Sequence, residues 1–174
     1  SGGASGLGEA TARYFASQGA KVTLLDRDVD RGPRVAADIG GYFVQTDVTD
    51  DQSVTSAVAS AVAHMGGINV AVNCAGIAVG IKTVGRDGPH PLDAFQRTID
   101  INLVGSFNLG RVAATVMAKN EPDADGARGV LINTASIAAF DGQKGQAAYA
   151  ASKGGIVGMT LPMARDLAST GIRV

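Results

Sequence analysis

Four short runs rich in Val, Ile and Leu, separated by segments long enough for a helix, constrain this chain more than any other feature. They are KVTLLD (21–26), GYFVQ (41–45), NVAVNC (69–74) and GVLINT (129–134). Continuous apolar runs of this length suit strands covered on both faces, as in a parallel sheet. Helical segments are expected between them, at about 8–18, 29–38, 51–65 and 92–118. Gly19 is placed to end the first, and Asp50 or Asp51 to cap the third. Alternating strand and helix predicts an α/β doubly wound parallel sheet of the Rossmann type, in a single domain over 1–174. The ends read as cut. A glycine loop should follow a strand, yet the sequence opens in that loop, and GIRV (171–174) looks like the start of a further strand. The first strand and a C-terminal substrate loop are therefore expected to lie outside 1–174.

The loop SGGASGLGEA carries Gly2, Gly6 and Gly8 and leads into a helix. Glycines there let the backbone approach a pyrophosphate, and the helix N-terminus offers free amides and a positive dipole end. A flexible glycine turn would look the same, so context decides. Asp26 ends the next strand about 20 residues on, where a carboxylate can bind the two hydroxyls of an adenosine ribose. A 2′-phosphate beside Asp26 would bring two anions together, which favours NAD over NADP. The neighbouring Arg27 could oppose this by binding a phosphate.

Bulk properties exclude several classes. A formal net charge of −1 and the lack of a Lys/Arg run give no footprint for nucleic acid. Cys74 is the only cysteine, and His64 and His90 lack ligand spacing, so no metal site is expected. No apolar stretch reaches the length of a membrane span. A soluble, cytoplasmic protein is the expectation, or one of the mitochondrial matrix in a eukaryote, where an upstream targeting segment would not be visible. The longest irregular stretch, 76–91, is an insertion of the length that often carries function.

In AAYAASKGG (147–155), Tyr149 and Lys153 stand four apart, on one face of a helix and one turn from each other. A cation held near a phenol favours the phenolate and suits the phenol to acid/base work. An exposed helix with a half-packed Tyr and a solvated Lys would read the same in isolation. Ser136 closes the strand GVLINTAS thirteen residues earlier, at the end where ligands sit in open parallel sheets. NCAG (73–76) is a second strand end with small residues that would let a cofactor ring lie close. Asn102 lies inside AFQRTIDINLVGSF, although Asn is a poor helix-interior residue. It is either a buried hydrogen-bonding spacer or part of a polar relay. Ala147, Ala151, Gly154, Gly155 and Gly158 leave the Tyr149 helix narrow enough to approach a strand, a cofactor or a partner helix. Pro162 should bend or break it late in its course.

GGASGLG, Asp26, the DV pair at 47–48, NCAG, Asn102, Ser136 and Tyr149-x-x-x-Lys153 occur in one order, and the whole chain resembles the short-chain dehydrogenases/reductases. The segments NCAGIAVGIKT and FNLGRVAATVMAKNEPDADGARGVLINTAS, the 76–91 insertion and the NEPD turn at 120–123 look like one subgroup, the type-2 3-hydroxyacyl-CoA dehydrogenases, which also act as 17β-hydroxysteroid dehydrogenases. The resemblance implies an NAD-dependent enzyme that interconverts a secondary alcohol and a ketone. The substrate expected is a short 3-hydroxyacyl-CoA, with a steroid or other small alcohol as the alternative and a non-catalytic dinucleotide-binding regulator behind both. Tyr149 would be the acid/base, Lys153 would bind the nicotinamide ribose, Ser136 would orient the substrate oxygen, and Asn102 would complete a water-linked relay. Ser136 and Tyr149 would hold the substrate. Gly2, Ser5, Gly6, Leu7 and Gly8 would line the pyrophosphate, Asp26 the ribose, and Asp47 and Val48 the adenine. Asn73, Cys74, Ala75 and Gly76, with Tyr149 and Lys153, would complete the cofactor site. Ser1 stands where the family's loop opens with Thr, so a hydroxyl is kept. Helices of this family pair across a two-fold axis, which implies a homo-oligomer, a tetramer.

Overall fold

The computed structural model describes residues 1–174. Five parallel strands alternate with six helices. The strands are β1 (Thr23–Asp26), β2 (Tyr42–Gln45), β3 (Val70–Asn73), β4 (Gly129–Asn133) and β5 (Ile172–Arg173). The helices are α1 (Gly6–Ser17), α2 (Arg31–Asp38), α3 (Asp51–Met65), α4 (Leu92–Ile99), α5 (Gly105–Met117) and α6 (Ala147–Leu167). All four expected strands form, and GIRV supplies the fifth.

Local chemistry sets the helix ends. Asp50 caps α3 by accepting the Ser53 amide at 2.5 Å, and Gly66 ends it in the left-handed region with φ +87°. Gly19, with φ +84°, turns the chain after α1. Two helices depart from expectation. The segment 92–118 is not one uniform helix, because a five-residue π-helical turn, Asp100–Val104, joins α4 to α5. That turn contains Asn102. Pro162 does not break α6, which runs on to Leu167. A proline ring presses on the carbonyl four residues back, here that of Gly158, a residue whose backbone can yield.

The strands are parallel throughout, as expected, but they form two sheets. In the first, β1 pairs with β2, Thr23 facing Tyr42 and Asp26 facing Gln45. In the second, β4 lies between β3 and β5, with Val70 facing Val130 and Gly129 facing Ile172. The larger of two hydrophobic clusters bridges the sheets, since Leu25 of β1 packs in it with Leu131 of β4, and the smaller lies against the first sheet. Val54, Met117, Leu131 and Met163 belong to the larger cluster, and Ala12, Leu24, Val35 and Ala36 to the smaller. Fully burying one such side chain as large as Val or Met contributes about 1.5–3 kcal/mol.

Ser1–Gly3 join the backbones of the two sheets. The Ser1 nitrogen donates to the Val72 carbonyl at 2.7 Å, and the Cys74 amide donates to the Ser1 carbonyl. On the other side, the Gly3 amide donates to the Leu25 carbonyl at 3.4 Å. Behind this stitch runs a groove of about 340 Å³ whose walls include Val22, Leu24, Val70 and Val72. Its walls carry strand edges on both sides, which is the environment an extended segment satisfies. Seating an extended segment of about five β-branched residues, the usual length of a strand, in this groove is expected to merge the two sheets and raise the melting temperature. An unchanged melt would show that the groove does not take a strand.

Candidate active site

The loop before α1 folds tightly on itself. A side chain on Gly8 would begin 2.0 Å from the Gly2 carbonyl oxygen, and one on Gly2 (φ +67°) would begin 2.6 Å from the Ala75 nitrogen. Ser5 is extended, and its hydroxyl makes no capping bond to α1. The first amides of α1, at Gly6, Leu7 and Gly8, therefore have no partner within the helix and are free for an anion. Leu7 is exposed beside them. This cradle, bare of side chains at a helix N-terminus, fits the phosphates of a dinucleotide.

Asp26 stands at the C-terminal end of β1. One carboxylate oxygen accepts the Ala4 amide at 3.0 Å, and the other accepts the Asp28 amide at 3.0 Å. The same group thus fixes the glycine loop and keeps lone pairs for further donors. Arg27 points to Asp47 across 3.7 Å. The Asp47 carboxyl is held below its ordinary pKa, first by the Thr49 hydroxyl and amide and then by Arg27. Val48 is buried, and its side chain fills the space above Gly105, where a Cβ would start 2.5 Å away.

Asn73, at the end of β3, is 2 % exposed, and its side chain works inside the protein. Its amide donates to the Ser106 carbonyl at 3.1 Å and to Asn133 Oδ1 at 2.9 Å, while its oxygen accepts the Ser1 hydroxyl at 3.3 Å. Cys74, Ala75 and Gly76 continue from it beneath the glycine loop. Gly76 passes so close to Asn102 that a Cβ would meet Oδ1 at 3.2 Å.

Asn102 is fully buried. Its oxygen accepts the Ile77 amide at 2.8 Å, and its nitrogen donates to the Ile77 carbonyl at 2.9 Å and to Ser152 Oγ at 3.0 Å. Both amide hydrogens are used inside the protein. The Asn102 carbonyl accepts the Ser106 hydroxyl at 2.7 Å.

Ser136 opens a short 3₁₀ turn, Ile137–Ala139, that follows β4 and packs against α6. Its Oγ accepts the Ala138 amide at 3.1 Å, which leaves its own proton to donate. Lys153 is buried, and Nζ donates to the Thr134 carbonyl at 2.6 Å. Nζ also lies 5.8 Å from the centre of the Tyr149 ring. Burial lowers the Lys153 pKa from its ordinary value of 10.5, against a smaller opposing pull from Cys74. One helix, α6, thus carries the phenol and brings the ammonium to the strand end that carries Ser136. The helix approaches closely because Gly155 leaves room for Leu103: a Cβ there would begin 2.5 Å from the leucine side chain.

Two contributors were not singled out in the sequence. Ser152 accepts from Asn102 and donates to the Tyr149 carbonyl at 2.7 Å, so it joins the π turn to the helix of the phenol. Lying among alanines and glycines, it read as one more small residue. Thr134 receives Lys153 through its carbonyl and bonds the Asn73 carbonyl through its hydroxyl at 2.6 Å. As a β-branched residue ending an apolar run, it carried only a strand signal.

The family model of short chain dehydrogenases matches residues 1–174. The 3-hydroxyacyl-CoA dehydrogenase type-2 of Rattus norvegicus is 56% identical over 177 aligned positions, which take in 99% of this chain and 68% of that protein. The trans-4-hydroxycyclohexanecarboxylate dehydrogenase of Sinomonas cyclohexanicum is 40% identical and is covered to 67% of its length. Among solved structures, 3-hydroxyacyl-CoA dehydrogenase type-2 from Mycobacterium avium superposes with a TM-score of 0.94 at 44% identity, covering 99% of this chain and 69% of that one. With the glycine cradle, the strand-end serine and the Tyr–Lys helix in place, the chain belongs to the short-chain dehydrogenase family, whose members are oxidoreductases using a nicotinamide dinucleotide.

Proposed function

We propose that this short-chain dehydrogenase interconverts a 3-hydroxyacyl-CoA and the corresponding 3-ketoacyl-CoA with NAD. The observation that carries the reading is the Lys153–Thr134 bond, which brings the helix of Tyr149 to the strand end that carries Ser136. The choice of acyl-CoA follows the relatives, which bear that activity in their names. Exposed Ile137 and Phe140, on the turn after Ser136, offer apolar surface for the chain of such a substrate. The same surface would suit an alicyclic or steroid alcohol, the second reading, and the relative acting on trans-4-hydroxycyclohexanecarboxylate supports it.

In this reading Ser136 donates its free proton to the substrate oxygen and holds it beside the phenol. Tyr149 removes the hydroxyl proton during oxidation and returns it during reduction. Lys153 holds a proton-rich group next to Tyr149 and reaches the cofactor ribose, while Asn102 and Ser152 keep the π turn and α6 in register. A water-linked relay would start from the Asn102 backbone carbonyl. The bound dinucleotide supplies the acceptor or donor of hydride. Gly2, Ser5, Gly6, Leu7 and Gly8 bind its phosphates, Asp26 the ribose, Asp47 and Val48 the adenine end, and the 73–76 segment the nicotinamide half.

NAD is preferred because the Asp26 carboxylate would face a 2′-phosphate while Arg27 is turned to Asp47. Exposed Val104 and Phe107 on one side, and Val157 and Leu161 on α6, form apolar stripes that suit pairing between copies in a homo-oligomer, a tetramer by family analogy. No helix is long and apolar enough to cross a membrane, and the cytoplasm or a mitochondrial matrix is the proposed location.

Acetoacetyl-CoA should be reduced with loss of NADH absorbance, and Tyr149→Phe should abolish turnover while leaving NADH binding nearly intact. A Tyr149→Phe enzyme that kept most of its rate would remove the phenol from the mechanism. Titration of both cofactors should show NAD(H) binding more tightly than NADP(H), with Asp26→Ala narrowing the gap; tighter NADP(H) binding would overturn the assignment. Lys153→Met tests the buried ammonium. Because the folded pKa lies below 10.5, the charge opposes folding at neutral pH, and that opposition fades as pH rises towards 10.5. The variant should lose turnover, and any stability advantage over wild type in thermal melts should shrink as pH is raised; an advantage independent of pH would contradict this sign.

A further inference from the structure

Beyond Gly76 and Ile77, the 76–91 insertion has no part in the chemistry above, yet it is tied to the turn that leads into α6. The Ile81 amide donates to the Gly145 carbonyl at 3.0 Å. Gly145 has φ +83°, and a Cβ there would begin 3.2 Å from Gly80, so the two backbones meet closer than most side chains permit. Four residues later the chain reaches Tyr149. On its other side, the Ile81 peptide is held by His90, whose Nδ1 lies 3.1 Å from the Ile81 carbonyl oxygen. A carbonyl only accepts, so Nδ1 carries the proton and Nε2 is the bare nitrogen. That Nε2 is buried and has no hydrogen-bond partner. The His90 amide donates to the Thr83 carbonyl at 2.9 Å, and its ring stands edge-on to Phe95 of α4 at 6.2 Å.

We propose that His90 is a positioning residue: through the Ile81 peptide it clamps the 76–91 insertion onto the Gly145 turn and so fixes the substrate-side wall next to Tyr149. A buried ring nitrogen without a partner calls for an explanation, and the clamp gives one. The bond made by Nδ1 keeps the ring in place, although Nε2 gains nothing there. The kinetic consequence rests on the acyl-CoA reading given above. The structural consequence does not.

The test uses the geometry of amide side chains: asparagine places its NH₂ near the site of Nδ1, whereas glutamine places it near Nε2. His90→Ala and His90→Gln should raise KM for acetoacetyl-CoA about tenfold, the scale of one or two hydrogen bonds, with kcat and NADH affinity little changed. In both, the Ile81 amide should exchange with deuterium faster than in wild type. His90→Asn should restore both the KM and the slow exchange. If His90→Ala does not melt cooperatively, the Asn and Gln variants alone decide. Wild-type protection of Ile81 in His90→Gln, or equally fast exchange in His90→Asn and His90→Gln, would overturn the clamp. Faster exchange with no change in KM would overturn its role in the substrate wall. A wild-type enzyme inert towards acetoacetyl-CoA would defeat the acyl-CoA reading instead, and the exchange comparison would still decide the clamp.

Discussion

The site is organised around one buried amide. Asn102 satisfies the two backbone groups of Ile77 and one side-chain oxygen of Ser152, and these belong to three separate parts of the chain. Ile77 follows the strand end beneath the glycine loop, Asn102 sits in the π turn, and Ser152 is on the helix of Tyr149 and Lys153. Leaving such buried groups unpaired costs about 1–3 kcal/mol each, so the three segments keep one relative placement. The π turn is part of the same device. An α-helix continued from α4 would present its side chains at a different angle, and turns of this kind recur at functional sites because they redirect a single residue.

A second constraint acts across the sheets. Asn73 ties the start of the glycine loop to β4 and to the Ser106 carbonyl. Asp26 ties the same loop to the end of β1. The glycine loop is thus fixed by both sheets at their C-terminal ends, the edge where open parallel sheets bind ligands. The larger core, which includes Leu25 of β1, and the Ser1–Ala4 segment hold these ends together. Changes in this segment should therefore reach the cofactor cradle and the strand-end serine at once.

Much of this was legible in the residues, for physical reasons that differ from place to place. The strands could be read because burial on both faces leaves an unbroken apolar run, and the start of α3 because Asp50 caps it chemically. Tyr149 and Lys153 could be read because helix periodicity places them on one face. The pairing of β1 with β2 and of β4 with β3 and β5 could not be read residue by residue, since it depends on long-range contacts rather than on any local signal. The π turn was hidden for a related reason: Asn102 announces a buried polar group, but not the backbone geometry that accommodates it. Ser152 and Thr134 escaped notice because they act through a small hydroxyl and a carbonyl, and every residue but glycine and proline offers something similar. The persistence of α6 through Pro162 also needed the three-dimensional context of Gly158.

The chemistry of the ammonium follows from where the fold puts it. Lys153 lies in a pocket whose recorded partner is a neutral carbonyl, and no carboxylate is bonded to it. A carboxylate there would stabilise the charge more strongly, but it would also neutralise the field that the ammonium exerts on its neighbours. With a carbonyl as partner, the positive charge is held in position and left uncompensated. Burial makes that charge costly, as the lowered pKa shows, and it also reduces the screening by water between the ammonium and whatever lies beside it. The phenol of Tyr149 is one such neighbour, its ring centre 5.8 Å from Nζ. On the reading proposed above, the same desolvation that opposes folding strengthens the field that Lys153 exerts on the phenol, and stability and activity are set against each other at this residue.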